Sequence, residues 1–179
     1  GQTLDAYCAQ KIFGPLGMRT TSFLPNPALK GRIAPSDMRW GSVHDPTAHR
    51  LGGVAGNAGV FATADDLAIL CQMILNQGTF QGKRILNPKA VALMTKPQRL
   101  SGSSVTRALG WDIRSPYSRA FNMAFPFGSF GHTGYTGTSI WMDPQSQTFL
   151  IILTSRLHPT GRGEVKNLRT YVAAAVAEA

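Results

Sequence analysis

Phe130-Gly131-His132-Thr133-Gly134-Tyr135-Thr136-Gly137-Thr138 is a glycine- and threonine-rich stretch that leads directly into the apolar residues Ile140-Trp141-Met142. Glycine inside a strand marks a place where a ligand or another backbone approaches closely. We therefore expect a strand here with backbone N–H groups, and the side chains of His132 and Thr133, beside a substrate oxygen. A Gly-rich bend in a sheet or barrel explains the same pattern, and both interpretations stay open at this point.

Working outward from this stretch, the pattern predicts strands over residues 108–113, 138–143 and 148–155, with a hairpin turn at 144–147. We expect residues 130–135 to enter a strand at one edge of an antiparallel sheet, with 138–143 continuing it and 148–155 paired beside it. A closing amphipathic helix should cover the hairpin. Its predicted apolar stripe consists of Val165, Leu168, Val172, Ala175 and Val176.

The first half of the chain predicts helices separated by one long connection. A helix should begin after Thr3 and end at Pro15-Leu16-Gly17, and residues 21–59 should form a packed loop. Thr63 is expected to cap a second helix that Gly78 ends, with Asp65 and Asp66 in its first turn. The buried stripe of this second helix is predicted to consist of Leu67, Leu70, Cys71 and Ile74. A further short helix should begin at Asn87-Pro88 and extend to about Lys96.

The composition indicates a globular chain and limits the classes of binding partner that we expect. Hydrophobic residues make up 43% and charged residues 15% of 179 residues, and no apolar run is long enough to cross a membrane. The net charge of +9 is dispersed along the sequence, so a nucleic-acid partner is not expected and solvated cations are the default. A basic polyanion-binding domain remains a third class of function.

Several common catalytic patterns are missing from the sequence. It contains no GxSxG, Walker loop, GxGxxG or CxxC, and its two glutamates, Glu164 and Glu178, both fall in the last predicted helix. The histidines show no zinc-binding spacing, so we expect no metal and no cofactor. Cys8 and Cys71 lie among apolar neighbours, where a free cysteine acts as a small buried hydrophobe.

His132-Thr133-Gly134 resembles the third motif, usually KTG, of the serine β-lactamase and penicillin-binding-protein superfamily. It is similar to the HTG variant of the class C-like and esterase-like branch. Three more segments in the same order resemble that family: residues 12–18 with 21–23, residues 56–67, and residues 154–159. The resemblance implies an α/β (α+β) sandwich, in which an antiparallel sheet packs against helices.

The chain also departs from the family pattern. No serine is followed three positions later by Lys, and no Tyr or Ser opens a Y-x-N or S-x-N motif. We therefore expect residues 1–179 to be a single segment, the C-terminal portion of a larger domain whose N-terminal half is missing. Alone it should be inactive, because the acyl-accepting serine is absent.

The resemblance implies a role for each residue of the motif. Tyr135 would supply one oxyanion N–H after Gly134, Thr133 would contact a substrate carboxylate or carbonyl, and His132 would replace the usual Lys. A histidine is only partly charged near neutral pH, which weakens the expected recognition of a penicillin carboxylate. The alternative for His132 is a purely structural role, as a residue that caps the edge of a strand.

Three residues of the long loop are candidates for substrate binding. The resemblance places His44, Asp45 and Asn57 near the rim of a cleft. A His–Asp pair that only fixes the loop is the favoured alternative, and Asn57 has a turn role as its own alternative.

The function implied by the resemblance is hydrolysis or acyl transfer through an acyl-enzyme, on a cell-wall peptide, a β-lactam or an ester. The parent would work in the bacterial periplasm or outside the cell. The alternative is a non-catalytic binding or interaction module that kept the fold.

Overall fold

The computed structural model describes residues 1–99 and 101–178, which form two compact units. The first unit holds residues 1–70 and 155–163, and the second holds residues 71–154 and 164–178. In the part of the chain that the structure describes, no helix is long and apolar enough to cross a membrane.

The first unit begins with the predicted helix. It consists of α1 (Leu4–Cys8), a π-helical turn (Ala9–Phe13) and α2 (Gly14–Leu16). Gly17 ends it in the left-handed conformation with φ +75°, which glycine adopts without steric cost. The predicted end of this helix is confirmed.

The long connection is folded, as expected. It contains a 3-10 helix (Pro27–Arg32), whose N-cap Asn26 accepts a hydrogen bond from the Ala28 backbone, and α3 (Pro46–Arg50). Ser22 pairs with Phe61 in an isolated antiparallel bridge, which ties the two ends of the connection together.

Helix α4 (Ala64–Leu75) follows the predicted cap, since Thr63 Oγ1 accepts a bond from the Asp66 amide at 3.3 Å. Cys71 and Ile74 are buried as predicted, whereas Leu67 and Leu70 are only half-buried. Asp66 does more than complement the helix dipole. Its carboxylate is buried and accepts bonds from the Thr20 amide, the Thr20 hydroxyl and the Thr21 hydroxyl, at 2.9, 2.7 and 2.8 Å.

A small hairpin and a helix precede the main sheet. Strands β1 (Thr79–Phe80) and β2 (Lys83–Arg84) pair antiparallel. Helix α5 (Pro88–Thr95) starts after Asn87, whose side chain accepts a bond from the Lys89 amide at 2.9 Å. The predicted Asn-Pro helix start is confirmed.

The main sheet has six antiparallel strands in the order β3-β4-β5-β6-β7-β8, so each strand pairs with its neighbour in sequence. The strands are β3 (Gln98–Arg99), β4 (Thr106–Arg107), β5 (Asp112–Arg114), β6 (Phe130–Thr133), β7 (Ser139–Asp143) and β8 (Thr148–Ile152).

Two strand predictions are wrong in part. Residues 108–113 do not form one strand, because the chain turns between β4 and β5, where Ala108 N bonds to Trp111 O and Gly110 has φ +82°. The third predicted strand, 148–155, ends earlier, at Ile152.

The predicted position of the HTG strand is also corrected. β6 lies inside the sheet instead of at its edge, and residues 138–143 turn back beside it as β7 instead of continuing it. The reversal occurs because Gly134 and Gly137 close a tight turn. However, the one β5–β6 pair is Asp112 with Gly131, so His132 and Thr133 extend beyond the β5 register.

Helices α6 (Arg119–Asn122) and α7 (Lys166–Ala177) pack together, and α7 also contacts β8. Phe121 stacks on Trp141 with ring centroids 4.8 Å apart, and Trp141 Nε1 donates to Ser129 Oγ at 2.9 Å. These elements share one hydrophobic cluster of buried residues: Phe121, Phe125, Trp141, Leu150, Ile152 and Ala173.

The α7 helix covers the hairpin as predicted, but its buried face is shifted along the helix. Ala173 is buried with Val172 and Val176 beside it, whereas Leu168 and Ala175 are exposed. The small Ala173 side chain lets the helix approach the aromatic cluster closely.

Candidate active site

Gly131 allows β6 to pair closely with β7. A Cβ atom at Gly131 would overlap the Ile140 carbonyl oxygen and lie 2.7 Å from the Trp141 Cα. Contacts this short with backbone are not tolerated, so only glycine lets β7 approach β6 here. The sequence expectation of a close backbone approach is met at this position.

His132 is exposed at the end of β6, and its ring is held by the backbone of the next residue. Nδ1 lies 2.9 Å from the carbonyl oxygen of Thr133. A carbonyl oxygen only accepts hydrogen bonds, so Nδ1 carries the proton in this contact. In the neutral ring, Nε2 is therefore the nitrogen that accepts.

The turn after β6 is closed by backbone hydrogen bonds. Gly134 N donates to Thr138 O at 2.7 Å, and Gly137 N donates to Gly134 O at 3.2 Å. A Cβ atom at Gly134 would lie 2.5 Å from Thr138 Oγ1, so a larger residue would require the Thr138 side chain to move. The exposed Tyr135 follows Gly134 directly at the tip.

One cation from α7 holds the base of this turn. Arg169 Nη2 donates to the carbonyl oxygens of Gly134 and Thr138, each at 3.0 Å. Thr154 Oγ1 donates to Gly137 O at 2.8 Å from the other side. Side chains distant in sequence therefore fix the turn that carries Tyr135.

A pocket of about 230 Å³ lies beside Thr133, within the second unit. Arg119, Lys166 and Arg169 bring three cations to its lining, which also includes Thr133 and Thr170. Among the described residues that line it, no Asp or Glu is present. A basic pocket is suited to an anionic group such as a carboxylate.

His132 is not among the residues that line this pocket. Successive side chains of a strand point to opposite faces, so Thr133 meets the pocket while His132 lies on the other face of β6. The two motif residues therefore serve two different surfaces.

The three loop candidates belong to the first unit, where they form a local cluster. Asp45 is the N-cap of α3 and accepts a bond from the Ala48 amide at 2.8 Å, and Asn57 Nδ2 donates to the same oxygen at 3.1 Å. The Ala48 amide, then the Asn57 amide, hold the pKa of Asp45 below its ordinary value of 3.8, with a smaller contribution from the charge of His44. These bonds support the loop-fixing alternative, and substrate contact by His44, Asp45 or Asn57 stays a prediction.

The sequence analysis missed the cations of the pocket. Arg119, Lys166 and Arg169 lie far from the HTG motif in sequence, and their dispersal indicated solvated charges. Only the packing of α6 and α7 brings them beside Thr133.

Cys71 is buried, as predicted for a structural cysteine, whereas Cys8 is only half-buried. Both cysteines are free, and burial raises the pKa of Cys71 to about 12. Within residues 1–99 and 101–178, no three His, Cys, Asp or Glu side chains are grouped so that they could hold a metal ion.

The sequence model of the Beta-lactamase family matches residues 1–175, so the chain belongs to the Beta-lactamase family. A Salmonella gallinarum protein named "Putative D-alanyl-D-alanine carboxypeptidase" is 33% identical over 180 residues, which cover 87% of this chain and 40% of that protein. The chain therefore spans well under half the length of this relative.

Solved structures share the fold. A penicillin-binding protein homologue from Caulobacter crescentus has a TM-score of 0.65 at 17% identity, covering 99% of this chain and 53% of its own. A family VIII carboxylesterase has a TM-score of 0.67 at 17% identity, covering 98% and 52%. The α/β sandwich of the β-lactamase and transpeptidase type is thus the fold of this chain, as its sequence predicts.

Proposed function

We propose that this chain forms one wall of the active site of a serine hydrolase that works through an acyl-enzyme. It supplies the HTG strand, the oxyanion turn and a pocket for a substrate carboxylate. The serine nucleophile and its Lys come from polypeptide outside these 179 residues, because the sequence contains no S-x-x-K. In this proposal, residues 1–179 act as a single segment of a larger β-lactamase-like domain.

The observation that carries the proposal is the basic pocket beside Thr133. Arg119, Lys166 and Arg169 line it together with the hydroxyl of Thr133. A peptide that ends in a free carboxylate places one negative charge next to its scissile bond, whereas a neutral ester places none. The pocket therefore favours a carboxypeptidase substrate, such as the C-terminal D-alanyl-D-alanine in the name of the Salmonella relative.

The proposed reaction has two steps. The serine oxygen attacks the scissile carbonyl carbon and loses its proton to a neighbouring base, and the carbonyl oxygen becomes an oxyanion. The backbone N–H of Tyr135 donates to that oxyanion. The C–N bond then breaks, the amine leaves with a proton, and water releases the acyl group by the same sequence in reverse.

His132 acts on the other face of β6 from the pocket. With Nδ1 bonded to the Thr133 carbonyl, Nε2 is placed to exchange a proton or hydrogen bond with the catalytic hydroxyl groups. The fixed positive charge for anionic substrates comes from Arg119 and Lys166, which line the pocket.

A substrate of the cell-wall peptide type supports a periplasmic or extracellular site of action. This proposal rests on the name of the Salmonella relative and not on any segment of the chain itself.

One test concerns the carboxylate pocket. N-acetyl-D-alanyl-D-alanine and its C-terminal amide are titrated into the ¹⁵N-labelled chain. We expect the acid to bind more tightly, and Thr133→Val or Arg119→Met to remove that preference. Equal binding of acid and amide, or no binding of either, would remove the support for a carboxypeptidase.

A second test concerns catalysis. The chain alone should show no covalent labelling by a fluorescent penicillin or fluorophosphonate. Labelling should appear when a segment carrying S-x-x-K and Y-x-N is co-expressed with it. An acyl adduct on a serine of this chain would contradict the proposed division of the site.

A further inference from the structure

The Arg169 side chain gives the turn between β6 and β7 cationic support. Arg169 Nη2 bonds at 3.0 Å to the carbonyl oxygens of both Gly134 and Thr138, which are the residues that the Gly134 N to Thr138 O bond already joins. The guanidinium therefore adds side-chain hydrogen bonds to the backbone bond that closes the base of the turn.

The geometry of that base decides where the tip of the turn points. Tyr135 is the residue directly after Gly134, so a rotation of the Gly134 peptide changes the direction of the Tyr135 N–H. Oxyanion donors act only when they are aimed within tenths of an ångström at the developing charge. Arginine suits this task, because its planar group holds several donors in one rigid arrangement.

We propose that Arg169 is a positioning residue for the oxyanion turn, acting through the carbonyl oxygens of Gly134 and Thr138. The inference rests on the proposed function, in which Tyr135 is the oxyanion donor. It also links two parts of the site, because Arg169 lines the pocket beside Thr133. A carboxylate in the pocket attracts the same guanidinium that holds the turn, so binding of the anion changes the turn.

Lys166 provides a matched control on the same helix. It lies three residues before Arg169, lines the same pocket and carries the same charge. Arg169→Gln and Lys166→Gln therefore remove one positive charge each from the pocket, but only the first removes the two bonds to the turn.

The first measurement needs no ligand. Amide hydrogen exchange is followed in the ¹⁵N-labelled chain, with the Trp141 indole N–H, which is bonded to Ser129 in the core, as the check that each variant is folded. Arg169→Gln should speed exchange at Gly134 and Gly137 by about tenfold. Lys166→Gln should leave both rates near those of the original chain. Equal rates in the two variants would overturn the positioning role.

The second measurement titrates N-acetyl-D-alanyl-D-alanine and its C-terminal amide. At saturating concentrations, the acid should shift the amide signals of Gly134, Gly137 and Thr170 in the original chain and in Lys166→Gln, although Lys166→Gln should need more acid because it lacks one positive charge of the pocket. In Arg169→Gln, the Thr170 shift should persist while the Gly134 and Gly137 shifts disappear. Persistence of all three shifts would overturn the link between the pocket and the turn.

The two measurements fail separately. Absence of acid binding in the original chain would overturn the carboxylate pocket of the proposed function, and with it the link. The exchange rates at Gly134 and Gly137 would still decide whether Arg169 holds the turn.

Discussion

His132 Nδ1 and the carbonyl oxygen of Thr133 are joined by a 2.9 Å hydrogen bond at the end of β6. The bond uses a backbone acceptor of the adjacent residue, so the ring orientation is set by the strand itself. It leaves Nε2 as the nitrogen that can exchange a proton with another group. The contact therefore holds the exposed His132 ring with the proton on Nδ1.

This relationship predicts a kinetic role for His132, to be measured in a polypeptide that also carries the serine nucleophile. His132→Ala should lower kcat and kcat/KM together, by about 10² or more, because general acid–base catalysis contributes at least that much. A lysine at this position keeps its positive charge to higher pH than a histidine does. In His132→Lys, the pH at which activity is lost should therefore be higher than in the original enzyme. The decisive comparison is between the pH–rate profiles of the original enzyme and His132→Lys.

His44→Ala is the control for that series, because its expected effect is on KM alone. Superimposable pH profiles for the original enzyme and His132→Lys, with His132→Ala near full activity, would show that His132 carries no chemistry.

The motif was predictable from the sequence, whereas its surroundings were not. The close approach at Gly131 follows from a glycine inside a predicted strand, because few other residues tolerate that geometry, whereas the turn after Thr133 was not predicted. Arg119, Lys166 and Arg169 gave no local signal, since a surface cation and a pocket cation look alike in sequence. Their roles arise only from tertiary packing.

A second prediction concerns the buried carboxylate of Asp66. Asp66→Ala should lower the free energy of unfolding by about 2–3 kcal/mol, because it leaves donors of Thr20 and Thr21 without their charged acceptor. Asp65→Ala is the matched control, since Asp65 is exposed in the same helical turn. Urea denaturation measures both variants. Equal losses would mean that only the helix dipole is involved.

A third prediction concerns the two thiols. Cys71 is buried and its pKa is raised to about 12, so almost no thiolate exists at pH 8. Ellman's reagent should therefore modify Cys71 only after unfolding in urea. Cys8 is half-buried, and its pKa is raised mainly by burial and also by the charge of Asp5. Cys8 should react in the folded chain, but more slowly than a fully exposed cysteine. The Cys8→Ser variant separates the two rates, and rapid labelling of Cys71 in the folded protein would contradict the buried position.

The helices were predicted better than the sheet, for a physical reason. Caps such as Thr63 and Asn87 act through neighbouring backbone groups, so the local sequence contains the whole signal. Strand order depends on partners far along the chain. The sequence therefore did not show that Gly134 and Gly137 turn the chain back and place β6 inside the sheet.

The last prediction tests whether the loop candidates fix the loop. Asp45 titrates below 3.8 because the Ala48 amide and then the Asn57 side chain donate to its carboxylate. A pKa lowered by folding contributes stability that is present above the unfolded value and is lost as the pH falls through the folded value. Asn57→Ala should raise the pKa of Asp45 toward 3.8 while leaving it below that value, since the bond from Ala48 remains.

Carboxyl ¹³C NMR titration of Asp45 gives the measurement. His44→Ala should raise the same pKa by less than Asn57→Ala does, because the charge of His44 is the smaller contribution. In thermal unfolding, Asn57→Ala should lose stability relative to the original chain at pH 6 and lose less of it near pH 3, where Asp45 becomes protonated. An Asp45 midpoint that does not move in Asn57→Ala would show that the 3.1 Å contact does not hold the loop, and would return Asn57 to the candidates for substrate binding.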